Sequence, residues 1–212
     1  MIQIEQLEIR RSQFCLQDIS LQIPQAAYAV FTGPSGSGKT TILETVAGLL
    51  TLRSGKIKLN GIDVTESAPA NRRIGYVPQD LALFPWMTVQ QNLSLGLKKQ
   101  KGKARTARNM VAEVAEQLHL SDVLNNRAGE LSRGQAQRVA IGRALVAQPE
   151  ILIMDEPLSS IDGNTKKQVI GVLANFHAVQ RPTVLHVTHH ADEIEHLYDV
   201  RFELRNGKIV AD

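Results

Sequence analysis

The sequence predicts an α/β fold with a mostly parallel sheet, an antiparallel β layer near the N-terminus and an inserted helical subdomain. Three observations carry that prediction. A short apolar run, Tyr28-Ala29-Val30-Phe31-Thr32, leads into a glycine-rich loop and then into Ile42, Leu43, Val46, Ala47 and Leu50 at helical spacing, the order strand, loop, helix. The closing third alternates apolar runs, Ile151 to Met154 and Thr183 to Val187, with helical stretches, the βαβ rhythm of a covered parallel sheet. Between these, from about Val89 to Leu124, apolar residues recur with a helical period.

Element by element, the alternation of Ile2, Ile4, Leu7 and Ile9, and then of Phe14, Leu16, Ile19, Leu21 and Ile23, predicts two early antiparallel strands. Ile57, Leu59 and Val64 around Asn60-Gly61 predict another strand and turn. In the helical stretch Val111, Val114, Ala115, Leu118 and Leu120 share one face. A last strand, turn and strand fall at Arg201 to Leu204, Asn206-Gly207 and Ile209-Val210. These elements make one domain over residues 1–212, with a core and β layer at about 1–88 and 149–212 and a helical subdomain at about 89–148.

Composition bounds the function. A chain of 212 residues with 43% hydrophobic content can bury a sizeable core. A net charge of +3 with a pI near 9.1 is too weakly basic to argue for a nucleic-acid partner. The lone Cys15 excludes a disulfide framework and fits a reducing compartment. No signal-peptide pattern opens the chain, and no apolar run reaches the ~18 residues of a membrane span, so any membrane business is expected to pass through a partner. The basic stretch Lys98-Lys99-Gln100-Lys101-Gly102-Lys103-Ala104-Arg105 holds no aromatic residue to stack on bases and reads as a solvated connector. His190, Glu193 and His196 lack the spacing that puts two zinc ligands on one helix face, and read as surface helix.

The chemistry begins at Gly33-Pro34-Ser35-Gly36-Ser37-Gly38-Lys39-Thr40, followed by Thr41, which fits G-x-x-x-x-G-K-[ST]. Successive backbone N–H groups of such a loop converge on an oxyanion, Lys39 reaches the β and γ phosphates, and the Thr40 hydroxyl ligates Mg²⁺. The helix that follows adds free N–H groups and the positive end of its dipole. At the end of a buried strand, Asp155 and Glu156 supply a carboxylate to hold the metal, commonly through water, and a general base to polarise the attacking water. Ser132, with Gln135 three residues on, forms a capping-box signature before Val139, Ala140, Ile141, Ala144 and Leu145. The Ser132 hydroxyl and the Gly134 N–H thus mark a second anion-ready helix start, which one phosphate loop does not need unless the two act on different molecules.

Taken together, these pieces resemble the ATP-binding cassette (ABC) ATPases, P-loop NTPases with a RecA-like core, over almost the whole chain. The matching motifs are GPSGSGKTT at 33–41, Gln79 in YVPQD, LSRGQ at 131–135, ILIMDEP at 151–157, SSID at 159–162 and THH at 188–190. The resemblance implies two copies packed head to tail, with each ATP and its Mg²⁺ lying between the phosphate loop of one and the LSRGQ helix of the other. It implies that His189 contacts the γ-phosphate, that Gln79 senses Mg²⁺ and the membrane partner, and that Asp162 helps couple the two sites. The stretches at Arg72 to Gln79 and Ala82 to Val89 look like importer ATPases that handle molybdate, sulfate, iron, polyamines or sugars. The expected role is the ATP-hydrolysing subunit of an importer of a small anion, metal or other small solute, peripheral on the cytoplasmic face of the membrane. Its expected partners are transmembrane permease subunits and, through them, a substrate-binding protein. The alternative is a soluble ABC-type ATPase of DNA maintenance or translation. Phe84, Trp86 and Met87 are expected in core or interface packing, near the groove for a membrane-subunit helix.

Three departures from the family pattern stand out. The aromatic residue that usually stacks on adenine is replaced: Arg11 is the nearest match in position, with Phe14 the other candidate. A guanidinium lies flat on a purine for roughly 0.5–1 kcal/mol and reads a face rather than an edge, so base selectivity is expected to be weak. Arg133 stands where glycine is commoner, and its charge is expected to point into solvent. The chain stops at Asp212, where many importers of this type continue into a regulatory domain, so inhibition through such a domain is not expected.

Overall fold

The computed structural model describes residues 1–11, 14–97, 104–205 and 207–211, the side chains of 104–107 and 211 excepted. The basic stretch noted above falls on residues 98–103, outside that set, and on the first two positions of a helix whose side chains there are also outside it. Contacts divide the chain into two units. One comprises Met1–Tyr76, Glu150–Glu156 and the chain from Arg181 onward; the other comprises Val77–Pro149 and Pro157–Gln180. The helical subdomain expected at about 89–148 thus corresponds to a unit that also takes in residues 77–88 and 157–180.

The first unit is built on two sheets. Strands β1 (Ile2–Arg11) and β2 (Phe14–Ile23) pair antiparallel, as their alternation requires. After β3 (Tyr28–Thr32) and helix α1 (Lys39–Ala47), the hairpin of β4 (Ser54–Leu59) and β5 (Ile62–Asp63) completes a four-stranded antiparallel sheet in the order β2-β1-β4-β5. Asn60 and Gly61 close that hairpin with φ of 50° and 80°, the left-handed pair that matches the twist of the strands. The second sheet runs β10-β9-β3-β8-β7-β6, from β6 (Ile74–Val77), β7 (Ile151–Asp155), β8 (Thr183–Val187), β9 (Val200–Arg205) and β10 (Lys208–Ala211). The pairs β3–β8, β3–β9 and β7–β8 are parallel, whereas β10 returns antiparallel on β9. Every residue of β3, β7 and β8 is buried, which explains why these strands read as continuous apolar runs.

One hydrophobic cluster joins both sheets to α1: Ile2, Ile9 and Ile57 from the first, Phe31, Ile153 and Val187 from the second, and Ile42, Leu43 and Val46 from the helix. Those three helical side chains are fully buried, each contributing about 1.5–3 kcal/mol. Residues 190–196, expected as surface helix, instead form a short 3₁₀ turn at Ala191–Ile194, too few residues for an amphipathic face.

The second unit is helical, with α2 (Val89–Ser94), α3 (Ala104–Gln117), α4 (Arg133–Val146) and α5 (Gly163–Gln180). Both α2 and α4 open on complete capping boxes, Thr88 with Gln91 and Ser132 with Gln135. Inclusion of α5 follows from its packing: Phe176 and Val179 line a cavity of about 100 Å³ with Met110 and Val114 of α3 and Leu145 of α4. Phe84 and Trp86 are 40% and 67% exposed and meet edge to face at 5.5 Å, so in this chain they are surface residues rather than core. The loop carrying them is fixed from beneath by Asn92, fully buried, whose amide bonds Phe84 N, Phe84 O and Thr88 O at 3.0–3.1 Å.

Within β8 the sequence concealed a buried imidazole. His186 Nδ1 lies 2.8 Å from the hydroxyl of Tyr28, both side chains are buried, and burial pushes the His186 pKa down to about 3. A histidine that is neutral when folded but titrates near 6.5 when unfolded contributes stability that is complete above pH 6.5 and lost as pH falls towards 3. Between pH 7 and pH 5 this group should therefore weaken folding by about 2 kcal/mol. Urea unfolding of His186→Gln, which keeps a polar partner for Tyr28, should show the pH difference reduced by that amount; an unaltered difference would assign it to other groups.

Candidate functional site

The glycine loop closes on itself at Ser37 N–Pro34 O, 3.2 Å, and feeds α1 through Gly38, whose φ is 108°. No side chain caps this helix, so its first N–H groups stay free for an anion. Gly38 is also where a close approach demands glycine: a Cβ there would lie 2.6 Å from Phe14 Cζ. Phe14 thus packs against the loop, and with Arg11, Gly36, Lys39, Thr40 and Thr41 it lines a cavity of about 220 Å³. The Arg11 guanidinium reaches Glu44 of α1 at 3.2 Å across an exposed surface. Both candidates for the base contact therefore border the same cavity. The Ser37 Oγ is buried and finds no partner among the described residues, a donor and acceptor suited to a phosphate oxygen.

Lys39 is buried, and its Nζ donates to Gly33 O and Pro34 O, each at 2.8 Å. Burial lowers its pKa, while Glu156 and Asp155 oppose the shift. Thr40 Oγ1 donates to Asp155 Oδ2 at 2.6 Å, so two hard oxygen donors already converge, the chemistry Mg²⁺ selects. Asp155, 2% exposed at the end of β7, has its pKa raised by burial against the Thr40 hydrogen bond and the charges of Lys39 and His189. Glu156 follows in a left-handed turn with φ of 50°, its N–H held by Val187 O at 3.0 Å. Its carboxylate lies 3.3 Å from His189 Nε2, and burial raises its pKa as well. A left-handed glutamate costs about 1–2 kcal/mol, a strain tolerated where a carboxylate must be aimed off a strand end.

The ABC transporter family model matches residues 16–159, more than half of the chain. The chain belongs to the ABC transporter family. Among curated relatives, a molybdate/tungstate import ATP-binding protein of Pyrococcus horikoshii is 39% identical over 210 residues, 99% of this chain and 61% of the relative. A xylose/arabinose import ATP-binding protein of Haloferax volcanii is 42% identical over 195 residues, 92% of this chain and 51% of the relative. The chain thus spans about half to three-fifths of these relatives' length. A bacterial ABC transporter cassette solved as a dimer superposes with a TM-score of 0.87 at 25% identity, covering 99% of this chain and 96% of that one.

The remaining sequence candidates of this ABC cassette lie in the second unit. Gln79 is exposed just after β6, in a loop whose Leu81 and Ala82 carbonyls accept from Arg143 of α4 at 2.9 and 2.6 Å. Ser132 caps α4 through Gln135 N at 3.3 Å, Gly134 lies in its first turn, and Arg133 points into solvent. Asp162 Oδ1 accepts from Thr165 N at 3.2 Å at the start of α5, and that turn holds its pKa below the usual carboxylate value. Sequence reasoning missed Gln137, which is buried and bonds Ser160 N at 2.8 Å and Ser159 Oγ at 3.3 Å, tying the LSRGQ helix to the SSID turn. Nothing in the spacing announced it, because α4 is buried around most of its circumference and a polar residue there falls on no distinct face.

Gly38→Ala combines left-handed strain with overpacking on Phe14, and should destabilise the fold by roughly 2–4 kcal/mol in urea titrations. In a Phe14→Ala background the penalty should shrink to the backbone part and the remaining contact with Leu16 Cδ1 at 2.9 Å; full additivity of the two changes would show that the ring is not the obstacle.

Proposed function

We propose that this chain is the ATP-binding and ATP-hydrolysing subunit of an ABC importer, working as a head-to-tail pair against separate membrane subunits. The observation that carries the reading is the convergence of Lys39, the Thr40–Asp155 pair and the Glu156–His189 pair on one glycine loop. The N–H groups at the start of α1, Ser37 and Lys39 would cradle the β and γ phosphates, with Gly33 to Gly38 shaping the approach. Mg²⁺, which Thr40 and Asp155 would hold and Gln79 would monitor, would neutralise charge on the phosphates. Glu156, ionised, would take the proton of the attacking water, and His189 would both orient that carboxylate and reach the γ-phosphate. Ser132, Gly134 and Gln135 of the second copy would face the same phosphates, with Asp162 linking the two sites.

Lys39 now donates to Gly33 O and Pro34 O, and Thr40 to Asp155; in this reading those groups turn from internal partners to the ligand on binding. Among the described residues no helix is long and apolar enough to cross a membrane, which fits a peripheral subunit on the cytoplasmic face with permease subunits as partners. The relatives' names favour import over the soluble alternative. Their cargoes are an oxyanion in one and pentoses in the other at similar identity, as expected if cargo touches only the permease and a substrate-binding protein.

Glu156→Gln should still bind MgATP and form a dimer by size-exclusion chromatography, while turnover falls by roughly 10²–10⁴. Because Glu156 must be ionised and its pKa stands above the ordinary 4.5, turnover of the parent should decline on an acid limb above that pH. Unchanged hydrolysis in the variant would remove Glu156 from the role. With Arg11 and Phe14 offering faces to the base, ATP and GTP should turn over at comparable rates; a hundredfold preference for ATP would contradict the base-site reading.

A further inference from the structure

Arg72 is the outlying charge of the first unit that the chemistry above does not use. It is 7% exposed and has no carboxylate in contact among the described residues, yet its guanidinium makes four hydrogen bonds, all to backbone carbonyls. Nη1 donates to Thr45 O at 2.8 Å and Val46 O at 2.9 Å, the open carbonyl end of α1. Nε and Nη2 donate to Ser67 O and Thr65 O, both at 3.0 Å, in the segment after β5. That segment is itself fastened to the antiparallel sheet, since Thr65 Oγ1 accepts from Ile57 N at 3.0 Å and Val64 N donates to Ile57 O at 2.9 Å.

The helix is short and carries no basic residue in its own last turn, so Arg72 supplies from outside the helix a cation against its negative end. The seat is shaped for it. Gly48 terminates α1 with φ of 82°, and a Cβ there would lie 2.6 Å from Arg72 Nε. A 3₁₀ turn at Pro69–Asn71 presents the arginine from the other side. At the opposite end of the same helix stand Lys39 and Thr40, with Thr40 bonded to Asp155. A nine-residue helix is only about 13 Å long, so a slip or tilt at the carbonyl end is transmitted to these two side chains.

We propose that Arg72 is a positioning residue for nucleotide binding: it clamps the carboxyl end of α1 to the segment after β5 and thereby fixes Lys39 and Thr40 for the phosphates. The inference rests on the nucleotide reading above. Its test is calorimetric titration with MgADP, which is not turned over. Arg72→Ala should bind about tenfold more weakly than the parent, and guanidinium at concentrations far below denaturing should restore most of the loss by refilling the seat, without effect on the parent. Parental affinity in Arg72→Ala overturns the proposal, and so does a loss that guanidinium does not repair, which would mark a merely structural residue. Should the alanine variant not fold, Arg72→Lys decides, because an ammonium keeps the charge but cannot match the fork of four bonds: weaker binding sustains the proposal and parental binding overturns it. Lys39→Ala separates the two readings. If it binds MgADP as the parent does, the nucleotide site itself is wrong; if it loses binding while the Arg72 variants keep theirs, only the clamp is.

Discussion

The polar site of the first unit depends on one apolar constraint, the burial of seven of the nine residues of α1. Ile42, Leu43 and Val46 have no exposed surface, and they belong to the same cluster as Phe31 of β3 and Ile153 of β7. A helix gripped in this way cannot rotate without opening voids, and each buried aliphatic resists by about 1.5–3 kcal/mol. Its free N–H groups therefore point in a direction set by packing rather than by the loop, which is too rich in glycine to hold a direction alone. The same cluster places Asp155 at the end of β7 and Val187 O beneath the turn that aims Glu156.

Burial then sets the electrostatics. Asp155 and Glu156 are pushed towards their neutral forms and Lys39 likewise, although each is drawn back by the opposite charges nearby. Groups desolvated in this way interact more strongly with any charge that arrives than they would in water. The internal bonds Lys39–Gly33, Lys39–Pro34 and Thr40–Asp155 keep those groups satisfied meanwhile. An incoming ligand must supply equal or better partners, which polyanionic phosphate with a divalent cation does and a neutral solute does not.

What the sequence discloses and what it conceals follow a physical division. The glycine loop, the alternating strands, the hairpin at Asn60-Gly61 and the cap at Ser132 all rest on local geometry, which residue spacing encodes directly. The second capping box, Thr88 with Gln91, obeys the same rule and was equally readable. Arg72, Asn92, Gln137 and His186 were not. Each is a buried polar side chain whose partners are distant in sequence or are backbone groups, so neither period nor motif announces them. For Phe84 and Trp86 the sequence leaves core and interface both open; the tight loop held by Asn92 puts them outside and so excludes the core.

The two helix starts are also unequal, and the inequality bears on the proposed sandwich. At α1 the N-cap is a glycine with no side-chain bond, so an anion can itself act as the cap. At α4 the Ser132 hydroxyl already satisfies Gln135 N and the Gln135 side chain returns to Ser132 N, leaving fewer free donors. Taken alone, α4 is the weaker anion site, and it lies at an exposed position where water screens its dipole. Affinity there would rise only once a phosphate already fixed by α1 of another copy is brought against it and water is expelled. That ordering, strong site first and weak site second, would make closure of the pair dependent on bound nucleotide and would tie any catalytic gain from Ser132 to the closed state.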